Sequence, residues 1–146
     1  MPITTSLSDA EIDAIAAGVV DRTLPKPEWT HAAHFAAALW LLRHRGLDRT
    51  LAEMPDLIRR YNEVTGVPNT DTDGYHETIT LASIRAGWSV LAAHPQDTPL
   101  SVVAGALLAG PYGGSRWPLA YWSGELLFTP LARRTWVEPD LRALPF

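Results

Sequence analysis

The segment THAAHFAAALWLLRHRG, residues 30–46, constrains the fold more than any other. Between His34 and Arg43 it carries no charged residue. Its apolar side chains lie all round a helix, not along one stripe. Such a helix has no face for water and must be enclosed by other elements. Thr30 is placed to cap its start and Gly46 to stop it. Its apolar run, FAAALWLL, is far shorter than the roughly 20 residues that a membrane span requires. The enclosure must therefore come from the chain itself, and no membrane partner is expected.

The rest of the sequence supplies suitable walls. SLSDAEIDAIAAGVVDRTL has Ser8 or Asp9 as N-cap, and Ile12, Ile15, Ala16 and Val19 at helical spacing. LPKPEW then breaks the pattern with its prolines. LDRTLAEMPDLIRRYNEVTG carries the stripe Leu47, Leu51, Met54, Ile58 and Tyr61, with Arg59, Arg60 and Glu63 expected in solvent. Pro55 removes the hydrogen bond to Leu51, so this helix is expected to kink or split there. GVPNTDTDG reads as a loop. A fourth helix is expected from about Gly74 to His94, and a fifth over 99–110. The tail should hold one or two short helices and an extended end. No stretch alternates with strand period. The sequence therefore predicts an all-α, single-domain bundle of five or six helices over residues 1–146. A mixed fold with a small sheet is the alternative.

Composition narrows the function. Hydrophobic residues make up 47 % and charged residues 19 %, enough apolar material for a real core. There is no cysteine, so any metal would have to be held by His, Asp, Glu or water. The net charge of −4, with no basic run, lacks the footprint of a nucleic-acid binder. The N-terminus has neither a basic n-region nor an apolar h-region, and a cytoplasmic location is expected. No nucleotide or flavin motif is present. The six tryptophans imply a solid core or an aromatic-lined pocket. Trp40, Trp88 and Trp136 are assigned to the core. Trp29 and Trp117 are candidate pocket walls.

The polar residues left over converge. Helices joined by short connections pack antiparallel. Helix two then runs up, helix three down and helix four up. That brings His31, His34 and His76 to one end of the bundle. Tyr61, Asn62 and Glu63 arrive at the same rim, as do Tyr112, Ser115 and Arg116, and Asn69, Asp71 and Asp73. His44 and His94 fall at helix C-termini, where they suit the helix dipole. On helix four, His76, Thr80, Ser83 and Gly87 form a polar line between two apolar rows. Such a line faces inward and gives a groove with room for a ligand.

Three readings follow. In the first, the protein is a metal-dependent hydrolase in which His31, His34 and His76 hold one divalent ion, zinc or iron. Glu77 would activate water or serve as a ligand. Tyr75, Tyr61 or Arg116 would steady developing charge. Trp29, Asn62, Thr80, Ser83, Tyr112 and Trp117 would bind the small-molecule substrate. The specific H-E-x-x-H pattern is absent, as is the G-x-S-x-G elbow of serine nucleophiles. In the second, a cofactor-free lyase or isomerase uses His76 and a carboxylate. In the third, the groove is a non-catalytic module for a small hydrophobic or anionic ligand. Asp73 is read as the cap of helix four. The apolar tail LRALPF is a candidate strap onto a second copy in a homodimer.

The phrases EWTHAAHFAAALWLL, RRYNEVTGVPNTDTDGYHETIT and WVEPDLRALPF give the chain a likeness beyond these patterns. It resembles an uncharacterised family of small bacterial proteins, over most of its length from Trp29 onward. The motifs are W-T-H-x-x-H, from Trp29 to His34, and N-T-D-x-x-G-Y-H-E-T, from Asn69 to Thr78. The resemblance implies that these stretches act as a unit. It supplies no substrate, metal or reaction.

Overall fold

The computed structural model describes residues 6–146, and among these the chain forms helices and loops with no strand. Five longer helices come first. α1 is Asp9–Val20, α2 His31–Arg45, α3 Leu47–Val64, α4 Glu77–Ala92 and α5 Leu100–Ala109. Two short ones follow, α6 (Gly124–Leu127) and α7 (Pro130–Arg134), and 3-10 turns occupy Lys26–Glu28 and Trp117–Ala120.

Local chemistry accounts for the helix ends. Ser8 Oγ accepts the Glu11 N–H while the Glu11 carboxylate accepts the Ser8 N–H, each at 3.1 Å. This reciprocal pairing satisfies two otherwise orphaned donors of α1. Thr30 Oγ1 accepts the Ala33 N–H at 3.2 Å and starts α2. Gly46, at φ +81°, ends α2 and leads directly into α3. No linker separates them, which forces the two helices to turn sharply against each other.

α2 is the centre of the structure and packs against α1, α3, α4 and α5. Phe35, Leu39, Leu41 and Leu42 are each at most 2 % exposed. Burying each of these side chains contributes about 1.5–3 kcal/mol. Pro55 neither splits nor ends α3, which continues through it as one helix. An internal proline costs about 3 kcal/mol. Met54 and Ile58 on either side are buried in the core and offset that cost.

α4 begins three residues later than expected. Gly74 sits at φ +80°, and the helix starts only at Glu77, with His76 as its cap. Asp73 is not the cap: its N–H goes to Thr70 Oγ1 at 3.1 Å and its carbonyl accepts the Thr70 N–H at 2.9 Å. It closes a turn within the loop instead. Trp88 is also misassigned by the sequence, being 37 % exposed, whereas Trp122 is fully buried. Trp40 and Trp136 are partly buried at the core's edge.

The C-terminal segment folds back on its own chain. The Trp122 indole N–H donates to the Val137 carbonyl at 3.0 Å, and the Leu141 N–H donates to the Tyr121 carbonyl at 2.9 Å. Leu144 and Phe146 pack against the chain's own core. Of the stretch read as a strap for a second copy, Leu144 and Phe146 thus pack on their own chain, while Leu141 is 59 % exposed. No helix among the described residues is long and apolar enough to cross a membrane.

Gly74 has two reasons to be glycine. Its φ is in the left-handed region, and a Cβ there would lie 2.3 Å from the Pro68 carbonyl oxygen. Gly74→Ala is expected to cost at least about 2 kcal/mol in urea unfolding, from left-handed strain plus the clash. An unchanged midpoint would show that the turn is not as tight as described.

Candidate functional site

The α3–α4 loop is built before the site is. Asn69 is its hub. Its Nδ2 donates to the Arg59 carbonyl at 3.1 Å, and its Oδ1 accepts the Tyr75 N–H and the Asn62 Nδ2, both at 3.0 Å. From outside, α7 clamps the same loop. Arg133 Nη1 donates to the Gly74 carbonyl at 3.0 Å and the Tyr75 carbonyl at 3.3 Å. Arg134 grips Asp71 with two nitrogens, Nε at 2.7 Å and Nη2 closer still.

The loop closes a pocket of about 320 Å³ at the end of the bundle where α2, α3 and α4 meet. Six residues singled out by the sequence line it: Trp29, His34, Asn62, Tyr75, His76 and Thr80. Ile58, Val67 and Ile79 supply apolar wall that the sequence reading left out. Their signal was available, because Ile58 and Ile79 lie within one helical turn of Asn62 and His76.

The remaining candidates lie elsewhere. The Tyr61 hydroxyl is buried and donates to the Leu24 carbonyl at 2.8 Å. Its ring braces Trp29 at 5.4 Å, but its oxygen is committed to the backbone. Tyr112 and Trp117 pack edge to face at 5.0 Å in the core. Arg116 is exposed on its loop, and Ser83 lies on α4 outside the pocket. Glu77 is beside the pocket wall: its Oε1 accepts the Tyr75 hydroxyl at 2.5 Å and lies 3.9 Å from Arg59 Nη2. Arg59, expected in solvent, is partly buried with its guanidinium 4.2 Å from the Tyr75 ring centre.

The three histidines expected to share an ion do not present nitrogens to one point. His76 uses both. Its Nδ1 accepts the Ile79 N–H at 3.2 Å as the cap of α4, and its Nε2–H donates to the Leu127 carbonyl at 2.7 Å. His31 Nε2–H donates to the Tyr112 carbonyl at 2.8 Å, outside the pocket. Among the described residues no group of three His, Asp or Glu is arranged to hold a metal ion. The residues present do not fit the expected three-histidine centre.

His34 differs from the other two. Its Nδ1–H donates to the Thr30 carbonyl at 2.7 Å, and its ring stacks on Trp29 at 3.7 Å. A carbonyl can only accept, so the proton is on Nδ1 and the lone pair is on Nε2. That Nε2 has no hydrogen-bond partner among the described residues. Burial pushes the imidazole down to about 4, against the opposing pull of the Thr30 carbonyl, with His31 adding to the depression. Burial also lowers His76, with Arg133 contributing. Tyr75 moves the other way: burial, then the Glu77 carboxylate, raises its hydroxyl strongly, while Thr80 and Arg59 oppose.

A larger cavity, about 620 Å³, opens at the other end between Leu42, Arg43, Trp88 and His94. No predicted site residue lines it. Arg43 Nη2 is buried without a partner among the described residues. Arg43 also faces Asp9 and Asp13 across a neighbouring depression, which weakens its pull on an anion. The α2–α3–α4 pocket is set apart by aromatic wall and several neutral polar side chains on one small space, Trp29, Tyr75, His34, Asn62 and Thr80, so volume does not select the site.

In comparisons with family models, curated proteins and solved structures, the chain met no match. The reading of the site rests on its own geometry.

Two outcomes are expected. His76→Ala removes a helix cap worth about 1 kcal/mol and leaves the Leu127 carbonyl unpaired, for a total of about 2–3 kcal/mol by chemical denaturation. His76→Asn, able to cap, should recover part of it. An Ala variant as stable as the parent would mean that the cross-tie is not formed. Stability should also depend on pH with a definite sign. His34 and His76 are held neutral when folded, so the unfolded chain takes up protons first as pH falls below about 6.5. Stability is then greatest above that pH and declines toward pH 4. The urea midpoint should fall over this window, and His34→Gln should flatten the decline. An unaltered slope in the variant would contradict the assignment.

Proposed function

We propose that the protein binds a small organic molecule in the pocket at the α2–α3–α4 end, as a binding module and not a catalyst. The observation that carries this is the open Nε2 lone pair of His34 in a half-dry pocket of about 320 Å³. A cavity of about 150 Å³ already admits benzene, so the space suits a ligand of one or two rings. Trp29 and Tyr75 supply aromatic wall, Ile58 and Ile79 aliphatic wall, and a few polar atoms give orientation.

The reading is preferred to proton-transfer catalysis for a physical reason. A general acid or base works best with a pKa near the operating pH. His34 is pushed to about 4, and Tyr75 is pushed far above neutrality. His76 has neither nitrogen free. The Glu77 carboxylate is engaged by the Tyr75 hydroxyl. It is preferred to metal-dependent hydrolysis because the ligand set does not gather.

A fragment screen by heteronuclear NMR tests it. Binders should perturb the Trp29 indole and the Asn62 and Thr80 amides together, without being converted. His34→Phe should weaken the polar binders about tenfold, the loss of one useful hydrogen bond. Hits confined to the Trp88 cavity, no hits at all, or turnover of a hit would each refute the proposal.

A further inference from the structure

We infer that the ligand of this pocket presents N–H or O–H donors and is neutral or cationic, not a carboxylate or phosphate. This rests on the binding role proposed above and names the chemistry the site selects.

The inference follows from two atoms whose polarity is fixed by backbone partners. The Thr30 carbonyl holds the proton of His34 on Nδ1, so Nε2 can only accept. Asn62 is fixed less directly. The Arg59 carbonyl must receive the Asn69 Nδ2, and the Tyr75 N–H must meet the Asn69 Oδ1. An oxygen at that position of Asn69 requires the Asn62 amide to turn its Nδ2 toward it, at 3.0 Å. The Oδ1 of Asn62 is then left as the open atom, and it too can only accept. No side-chain flip reverses either assignment without breaking a hydrogen bond to the main chain.

Among the described residues no cationic side chain lines the pocket. Arg59 and Arg133 line the neighbouring depression around Asn69 and Asp71, not this pocket. Arg59 is engaged with Asp56 at 3.2 Å, and Arg133 with the loop carbonyls. The Trp29 indole N–H and the Thr80 hydroxyl are adaptable and can meet an acceptor on the ligand. They are neutral and cannot balance a full negative charge in a partly dry site. An anion would face two fixed lone pairs; a donor would satisfy both. This departs from the sequence reading of a module for a small hydrophobic or anionic ligand.

Four benzene-sized probes decide the matter: benzyl alcohol, benzylamine, toluene and benzoate. Each is titrated into the unmodified protein at neutral pH and followed by the Trp29 indole and His34 ring nitrogen resonances. Benzyl alcohol and benzylamine should bind at least about tenfold more tightly than toluene, with benzoate weakest. The His34 Nε2 resonance should move with the two donors and stay still with toluene. His34→Phe should erase the preference for alcohol over toluene. If benzoate binds as tightly as benzylamine, or toluene as tightly as benzyl alcohol, the donor assignment fails while the pocket stands. If none of the four perturbs the pocket, the binding role itself fails, and this inference with it. Should the Phe variant not fold, the Nε2 shift in the unmodified protein gives the answer alone.

Discussion

Helix α2 has no face for water, and the rest of the structure follows from enclosing it. α1, α3, α4 and α5 surround it, leaving polar side chains only at its two ends. His31 and His34 are at one end, and Arg43, His44 and Arg45 at the other. A site with hydrogen-bonding groups must therefore form at an end of the bundle, not along its side. Gly87 on α4 fits the same constraint. A Cβ there would approach the Leu42 side chain at 3.4 Å and the Leu39 side chain at 3.7 Å. The polar line along α4 thus stops where α2 presses against it.

The N-terminal end became a pocket because a loop was fixed across it. Asn69 ties the loop inward, and Arg133 and Arg134 of α7 tie it from outside. α7 is itself held by Thr78. Its hydroxyl lies 2.7 Å and 2.8 Å from the Ala132 and Thr135 carbonyls and accepts the Val137 N–H at 3.2 Å. Together with the His76 bond to Leu127, the first turn of α4 anchors both short C-terminal helices. The polarity of this turn is therefore spent on structure. That leaves His34, on a different helix, as the histidine open to the pocket.

Much of this was legible from local pattern. Ser8, Thr30 and Gly46 act where their chemistry puts them, because a cap is decided by residues three or four apart. His44 and His94 were read as C-terminal groups, and each donates Nδ1–H to the carbonyl four residues back, at 2.9 Å and 2.8 Å. His34 makes the same bond at the start of α2. The alternation of helix directions also brought Trp29, His34, Asn62, Tyr75, His76 and Thr80 to one end, as up-down-up packing requires. The failures have a common cause. Asp73 looked like a cap because its residue type suits one, but Gly74 takes a left-handed turn that delays the helix. Arg59 looked solvated because it lies off the stripe, but the loop carries Tyr75 back over it.

The sequence by itself determined the longer helices, most of their ends, the absence of a water-facing side on α2 and the end of the bundle where polar groups collect. These depend on neighbours within a turn or two of helix, which a linear pattern records. Only the tertiary structure decided which histidine nitrogens are free. His76 meets a carbonyl 51 residues away and His31 one 81 residues away, and no local spacing encodes either encounter. His76 is thereby consumed at both nitrogens and His31 is drawn away from the pocket, while His34 is tied only to its own helix and keeps a lone pair for a ligand.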